Sequence, residues 1–388
     1  MYAIEHAVQT FITIFVRLPL WVISAIPRQN RPLPGWSLKR TVLLQFIKYT
    51  FSSRTLDDPD HTAIVEGPGV KGVWVTPVPH LVHGEVKDWA NMAGVECVRI
   101  PGYWMDKQGL DIPVEAAPED GEKVLYHLHG GAYAVFSAHP SDPIVSGPQA
   151  ILDHSPSIRR LFNLEYRRST GPADAPKNPF PAALLDAIAG YDYLVNQVGF
   201  TPENIVISGE SAGGNLALAL IRYLVEQRAQ GDSSIPPPPG ALILVSPWVD
   251  LGVRGHEPSS SLYTNLVSDY LNPHSVHWIF VIRQFLGPLG WHAADTNRYI
   301  SPASELLSAN QISFEGFPRT MIIGGGAEVF RDQIRILHER MAKDLGDKDV
   351  EYHEFPDAVH AFVIIPPCEP ERTHALQLVR DWLDPARS

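Results

Sequence analysis

The sequence predicts an α/β fold: a mostly parallel central sheet with helices on both faces and a helical cap. Three observations lead there. Apolar or alternating runs at residues 123–129, 204–208, 241–246, 319–323 and 350–355 recur along the last two thirds of the chain, with helical patterning between them. Three of these runs open into glycine-rich turns, at Gly130-Gly131, at Gly209 to Gly213 and at Gly324-Gly325-Gly326, so the unusual backbone gathers where strands end. Finally, 388 residues with 45% apolar content suffice for one large domain and a cap, without a second independent core.

Residues 1–56 read as two helices broken by the Pro-rich segment 27–35 and form an N-terminal cap or membrane-interface segment. This stretch carries seven basic side chains (Arg17, Arg28, Arg31, Lys39, Arg40, Lys48, Arg54) against one acid, Glu5, in a chain of net charge −12. Residues 8–26 are apolar enough to suggest a membrane span. However, Arg17 and Pro19 fall at the middle, and a central Arg costs ~2.5–3.5 kcal/mol on insertion scales. Gln9, Thr13, Arg17 and Ser24 share one helical stripe, opposite Phe11, Ile12, Phe15, Leu18 and Val22, which is an amphipathic pattern. A cap helix is the first reading, with Phe11, Ile12, Phe15 and Trp21 over the pocket. An interfacial helix is the second and is compatible with it, and a true span is the third. The charge order does not match a signal peptide.

Residues 57–388 form the main domain. It opens with antiparallel strands at 72–75 and 96–100, runs through the parallel core, and carries a cap insertion at about 251–307. That insertion is rich in aromatics (Tyr263, Tyr270, Trp278, Phe280, Phe285, Trp291), some of which should line a pocket. The prolines at 236–239 read as a surface spacer.

The chemistry sits at the strand ends. Gly209-Glu210-Ser211-Ala212-Gly213 lies between a β-branched run and an apolar helix, the context in which G-x-S-x-G exposes a nucleophilic serine on a sharp turn. The plainer alternative is a serine that merely caps the helix. Upstream, His129-Gly130-Gly131-Ala132 ends a buried run. Gly130 and Gly131, with the N–H of Ala212, are the candidate oxyanion-hole donors. A bracing hydrogen bond is the favoured role for His129, over a second base. His360 lies in a loop after the last strand and is the candidate general base. Glu328 comes first off its strand and is favoured as the acid over Asp332, one helical turn later, and over Asp357, which is too close to His360 in sequence.

On these motifs the chain resembles the hormone-sensitive-lipase family of α/β-hydrolases, from Lys123 to the C-terminus. Phe180-Pro181-Ala182-Ala183-Leu184-Leu185-Asp186-Ala187 also looks like that family's helix between the two glycine motifs. The resemblance implies an α/β-hydrolase fold and ester hydrolysis by a Ser211-His360-Glu328 triad through an acyl-enzyme, with no cofactor and no metal. A compact hydrophobic pocket under the aromatic cap suggests a lipophilic ester as the partner, with a short acyl chain such as acetyl on a lipophilic alcohol. The departures are Glu328 where the family usually has Asp, Tyr166-Arg167-Arg168-Ser169-Thr170 for the usual Tyr-Arg-Leu-Ala-Pro, and Ala132 for the third glycine. The basic, apolar N-terminus adds a weaker similarity to fungal steryl and terpenoid acetate deacetylases.

Other classes fit less well. The acidic balance of the main domain argues against nucleic acid. Cys97 and Cys368 are too few for a disulfide framework, and His80/His83 and His274/His277 lack the partners of a metal site. An acyltransferase using the same acyl-enzyme is the nearest alternative. A non-catalytic receptor resembling the plant gibberellin receptors is a third, set against the complete triad. The absence of an N-x-S/T sequon points to an intracellular protein, cytoplasmic or peripheral to an internal membrane such as the endoplasmic reticulum, with possible membrane contact through the N-terminus.

Overall fold

A computed structural model describes residues 8–52, 63–171, 175–252, 256–308 and 310–385. Eight strands form one sheet: β1 (Lys71–Val75), β2 (Ile100–Asp106), β3 (Lys123–Leu128), β4 (Ile158–Leu164), β5 (Ile205–Glu210), β6 (Ala241–Val245), β7 (Arg319–Gly325) and β8 (Val350–Phe355). Their order is β1-β2-β4-β3-β5-β6-β7-β8. The β1–β2 and β2–β4 pairs are antiparallel and every later pair is parallel. β5 and β6 are buried along their whole length and β3 beyond its first residue, which explains why they read as near-continuous apolar runs. The chain places β4 on one side of β3 and β5 on the other. Crevices at the carboxyl ends of strands open at such a reversal, and the two glycine motifs follow β3 and β5.

Helices surround the sheet: α1 (Val8–Ala25), α2 (Leu38–Ser52), α3 (Gly84–Ala93), α4 (Ser146–His154), α5 (Ala182–Asp192), α6 (Ala212–Ala229), α7 (Val276–Leu286), α8 (Gly290–Thr296), α9 (Arg331–Leu345) and α10 (Glu371–Leu383). α7 and α8 lie in the long excursion between β6 and β7.

β4 falls outside the predicted runs, and two further placements differ from the sequence reading. The second antiparallel strand starts at Ile100, where the expected 96–100 strand ends. Pro101-Gly102 looks like a turn but is strand: a Cβ on Gly102 would sit 2.3 Å from the Phe162 ring, so this glycine permits a close approach. The second difference is α1, which is inside-out. Its polar stripe faces α2: Arg17 donates to Gln9 Oε1 (3.2 Å) and Thr13 Oγ1 (3.0 Å), its guanidinium lies 4.4 Å over the Tyr49 ring, and Tyr49 donates to Gln9. Most of the apolar side chains point away, leaving Phe11 60%, Phe15 63% and Ile23 63% exposed, while Leu18 and Val22 turn toward α2.

Candidate active site

Ser211 follows β5 directly, with φ 54° and ψ −120°, a conformation that L-residues rarely adopt. It is held there by its N–H to the Val245 carbonyl (3.0 Å) and by its own carbonyl, which accepts the Trp248 N–H (3.0 Å). A Cβ on Gly213 would lie 1.9 Å from the Leu128 carbonyl oxygen, so only glycine lets α6 start this close to β3. The Ser211 hydroxyl makes no capping bond to α6, which removes the plainer reading of the motif.

His360 Nδ1 lies 2.8 Å from Glu328 Oε2, and both side chains are buried. The second oxygen, Oε1, accepts the Gly325 N–H (2.6 Å) and the Ser246 hydroxyl (3.0 Å); the Ser246 oxygen accepts the Ala361 N–H (2.9 Å). One serine at the end of β6 therefore ties the acid to the histidine loop. The Phe330 ring stands perpendicular to the imidazole at 5.1 Å. The other two acids lie elsewhere. Asp332 accepts the Ser261 N–H (2.7 Å) and pairs with Arg331, whereas Asp357 presents its carbonyl to Trp36 and Arg40.

Ser211 and His360 line one cavity of about 40 Å³, together with Gly131, Ala132, Phe51 and Tyr270. They make no hydrogen bond in this arrangement; such bonds commonly tighten only when substrate is bound. A larger pocket of about 220 Å³ adjoins it. Gly131, Ala132, Phe51, Tyr270 and Trp278 are common to both, and Lys48, Ser275, His277 and Val281 extend the second.

Gly130 is placed differently from its expected role. Its N–H donates to Glu210 Oε1 (2.6 Å), and the other Glu210 oxygen lies 3.0 Å from His127 Nε2, so this N–H is already engaged. The next two N–H groups, of Gly131 and Ala132, make no intramolecular hydrogen bond among the described residues, and both residues line the cavity. A run of positive φ, 107° at Gly131, 54° at Ala132 and 59° at Tyr133, forms this turn. A Cβ on Gly131 would fall 2.2 Å from the Val135 carbonyl oxygen. Ala212 opens α6, so its N–H lacks a helical partner. His129 braces the turn: its ring stacks on Tyr166 at 4.3 Å, Nδ1 lies 2.7 Å from the Gly130 carbonyl, and the Tyr166 hydroxyl donates to the His129 carbonyl.

The N-terminal segment reaches the pocket through α2 rather than α1. Phe11, Ile12, Phe15 and Trp21 line neither cavity; Lys48 and Phe51 do. The Trp36 indole N–H (3.0 Å) and Arg40 (2.8 Å) both donate to the Asp357 carbonyl, docking α2 on the histidine loop. Sequence reasoning passed over these residues, and Ser246 and Asp269 with them. Ser246 alone had a signal, since it too ends a buried strand. Asp269 is fully buried; burial pushes its carboxyl up to about 6, while nearby His360 favours its charged form and Glu328 opposes it.

A family model described as alpha/beta hydrolase fold matches residues 124–364, and the chain belongs to that family. The hormone-sensitive-lipase resemblance read from the glycine motifs lies within this match. An acetyl-hydrolase of Streptomyces hygroscopicus is 29% identical over 273 residues, covering 70% of this chain and 78% of the relative. Esterase LipU of Mycobacterium tuberculosis is 28% identical, covering 69% and 79%. Among solved structures, an esterase of the bacterial hormone-sensitive lipase family superposes with a TM-score of 0.57 at 23% identity, covering 94% of this chain and 96% of the other, a likeness of fold.

Proposed function

We propose that this chain is a serine carboxylesterase that hydrolyses short-chain acyl esters, acetates foremost, of lipophilic alcohols. The family match and the esterase names of its relatives support carboxylic ester hydrolysis. The observation that carries the mechanism is that the strained Ser211 shares a cavity with His360, whose Nδ1 lies 2.8 Å from the buried Glu328. In this reading His360 Nε2 takes the Ser211 proton as Oγ attacks the ester carbonyl, and Glu328 fixes the tautomer and offsets the imidazolium charge. The N–H groups of Gly131, Ala132 and Ala212 hold the oxyanion; Ala132 takes the place first given to Gly130. The alcohol leaves with the proton from His360, and water, activated by the same imidazole, releases the acid. The acetyl preference is supported by the name of one relative and by space. At ~10–15 Å³ per water-sized atom, the cavity at Ser211 has room for roughly three atoms. The adjoining pocket would take the larger half of the ester. A series of p-nitrophenyl esters from acetate to palmitate, beside steryl and terpenoid acetates, tests this. Acetate should be fastest among the simple esters, and a palmitate optimum would discard the acetyl reading.

We infer further that α1 rests on an anionic membrane surface, which would place the enzyme peripheral to an internal membrane. The inside-out packing of α1 supports this, as do its mean hydropathy of 1.6 and the exposed Arg28 and Lys39 nearby. An open apolar groove of about 550 Å³ lies between α1 and α2, lined by Leu18, Val22, Val42 and Phe46. Flotation with vesicles containing phosphatidylserine should carry the protein upward, and recovery only at the bottom of the gradient would count against it.

A further inference from the structure

A single cap segment, residues 265–270, holds four backbone groups around the triad acid: the carbonyls of Gly326, Ala327 and Glu328 and the N–H of Val329. Asn265 Nδ2 donates to the carbonyls of Gly326 (3.1 Å) and Glu328 (2.8 Å), and the Ser268 hydroxyl donates to the Ala327 carbonyl (2.8 Å). The Asp269 carboxylate accepts the Val329 N–H through Oδ2 (2.8 Å) and the Tyr270 N–H through Oδ1 (2.8 Å). This segment is in turn pinned from the N-terminal side. Lys48 Nζ, on α2, donates to the carbonyls of Leu266 (2.7 Å) and Asp269 (2.9 Å).

We propose that Asp269 is a positioning residue of the site: its carboxylate fixes the loop that presents Glu328 and sets a second negative charge beside His360, with Lys48 holding it in place. The proposal rests on His360 being the base of the reaction at Ser211. The geometry leaves Asp269 little freedom. It is 1% exposed, both oxygens are bonded to backbone N–H groups, and the ring of its neighbour Tyr270 stands 6.0 Å from the imidazole. The charged or titratable groups facing it are His360, Glu328 and Tyr270, with Lys48 from α2. A carboxylate near a forming imidazolium favours the charged form of the ring, the state that His360 occupies when it has taken the serine proton.

The direction of the effect is fixed by charge. Asp269→Asn keeps one acceptor for the Val329 N–H and removes the charge. Imidazolium is then disfavoured, so the acid limb of kcat/KM against pH moves to lower pH. On p-nitrophenyl acetate kcat should fall roughly tenfold or more, with KM within about twofold, as expected for a group that matters mainly after proton transfer begins. A fall in kcat with the limb unmoved would make Asp269 a structural strut and overturn the proposal, as would unchanged kinetics. If Asp269→Asn does not fold, Lys48→Met carries the test: kcat on the acetate should fall more than KM rises, and Lys48→Arg should restore most of it. Unchanged kcat in Lys48→Met, or no recovery in Lys48→Arg, would equally overturn it. Failure here is separate from failure of the serine mechanism, which Ser211→Ala reports on its own.

Discussion

α1 and α6 are both eighteen-residue apolar helices, and they use that apolar content in opposite ways. α6 is buried without a break from Ala212 to Leu224 and packs on β5, so burial fixes the first residues of the helix directly behind Ser211. α1 buries only Thr13 and Ala25 among its described residues and turns Phe11, Ile14, Phe15, Leu20 and Ile23 outward. α6 also carries Arg222, Glu226 and Arg228, but what each helix does with its apolar residues is decided by the direction in which its polar stripe faces. In α1 the stripe that should face water is bonded to Tyr49, which leaves Phe11, Ile14, Phe15, Leu20 and Ile23 exposed. Each large side chain left this way forgoes ~1.5–3 kcal/mol of burial. One helix therefore anchors the proposed chemistry, and the other leaves its apolar face open for the proposed membrane contact.

The sharpest way to break this division is at the start of α6. Ser211→Ala should lower kcat by on the order of 10³ or more with the fold intact, because the oxyanion donors alone retain little turnover. Near-wild-type esterase activity in the purified variant would remove the chemistry from this end of the molecule altogether.

Next in size comes the acid. Glu328→Gln keeps the side chain's shape, yet it can no longer hold the imidazole in its working tautomer or balance its charge. The loss should be about 10²–10⁴ in kcat. Asp332→Asn should act mildly, since Asp332 bonds the Ser261 N–H rather than His360. Stopped-flow burst measurements on p-nitrophenyl acetate compare the two, and the reverse ranking would transfer the role to Asp332.

The α1 side of the comparison predicts a small catalytic effect and a large binding effect. Deleting residues 1–35 removes α1 but leaves Trp36, Arg40, Lys48 and Phe51, the residues that meet the histidine loop and the pocket. On a soluble acetate kcat/KM should stay within roughly threefold of wild type, while sedimentation with anionic vesicles is lost. A large kinetic loss on the soluble ester would return α1 to the role of a pocket cover.

These outcomes bear on what a sequence alone can supply. β3, β5, β6 and β7 were legible because strands buried on both faces read as apolar runs, whereas Arg159, Arg160 and Asn163 interrupt the pattern of β4 and hid it; Ser211 was legible because a glycine-flanked serine between a strand and a helix has few other uses. Glu328 was separable from Asp332 by its distance from the strand end. The role of Gly130 was not legible, since nothing in a glycine pair says which N–H the neighbouring Glu210 will engage. Asp269, Lys48 and Phe51 were equally hidden. They meet the site only through the packing of α2 and the cap, contacts between segments more than 200 residues apart that leave no local pattern. The amphipathic stripe of α1 was visible, but its direction was set by Tyr49 on another helix.

The smallest expected effect concerns pH and stability, and it separates two buried carboxylates. Asp250 and Asp269 are both pushed up to about 6, in each case mainly by burial. A carboxyl whose folded pKa lies above its ordinary value near 3.8 binds a proton more readily in the folded chain. Its stabilising contribution is therefore full below about pH 4 and is lost as pH rises through about 6. At about 1.4 kcal/mol per unit, each site contributes at most ~3 kcal/mol to that change. Differential scanning calorimetry between pH 5 and 7.5, a range that spans about half of that change, should show Asp250→Asn and Asp269→Asn each gaining roughly 1–2 degrees of Tm relative to wild type as pH rises. Only Asp269→Asn should also alter kcat, because Asp250 lines a separate cavity with His256 and Glu305, and neither Ser211 nor His360 lines that cavity. A pH-independent Tm difference at both positions would mean that burial raises neither carboxyl in the folded chain.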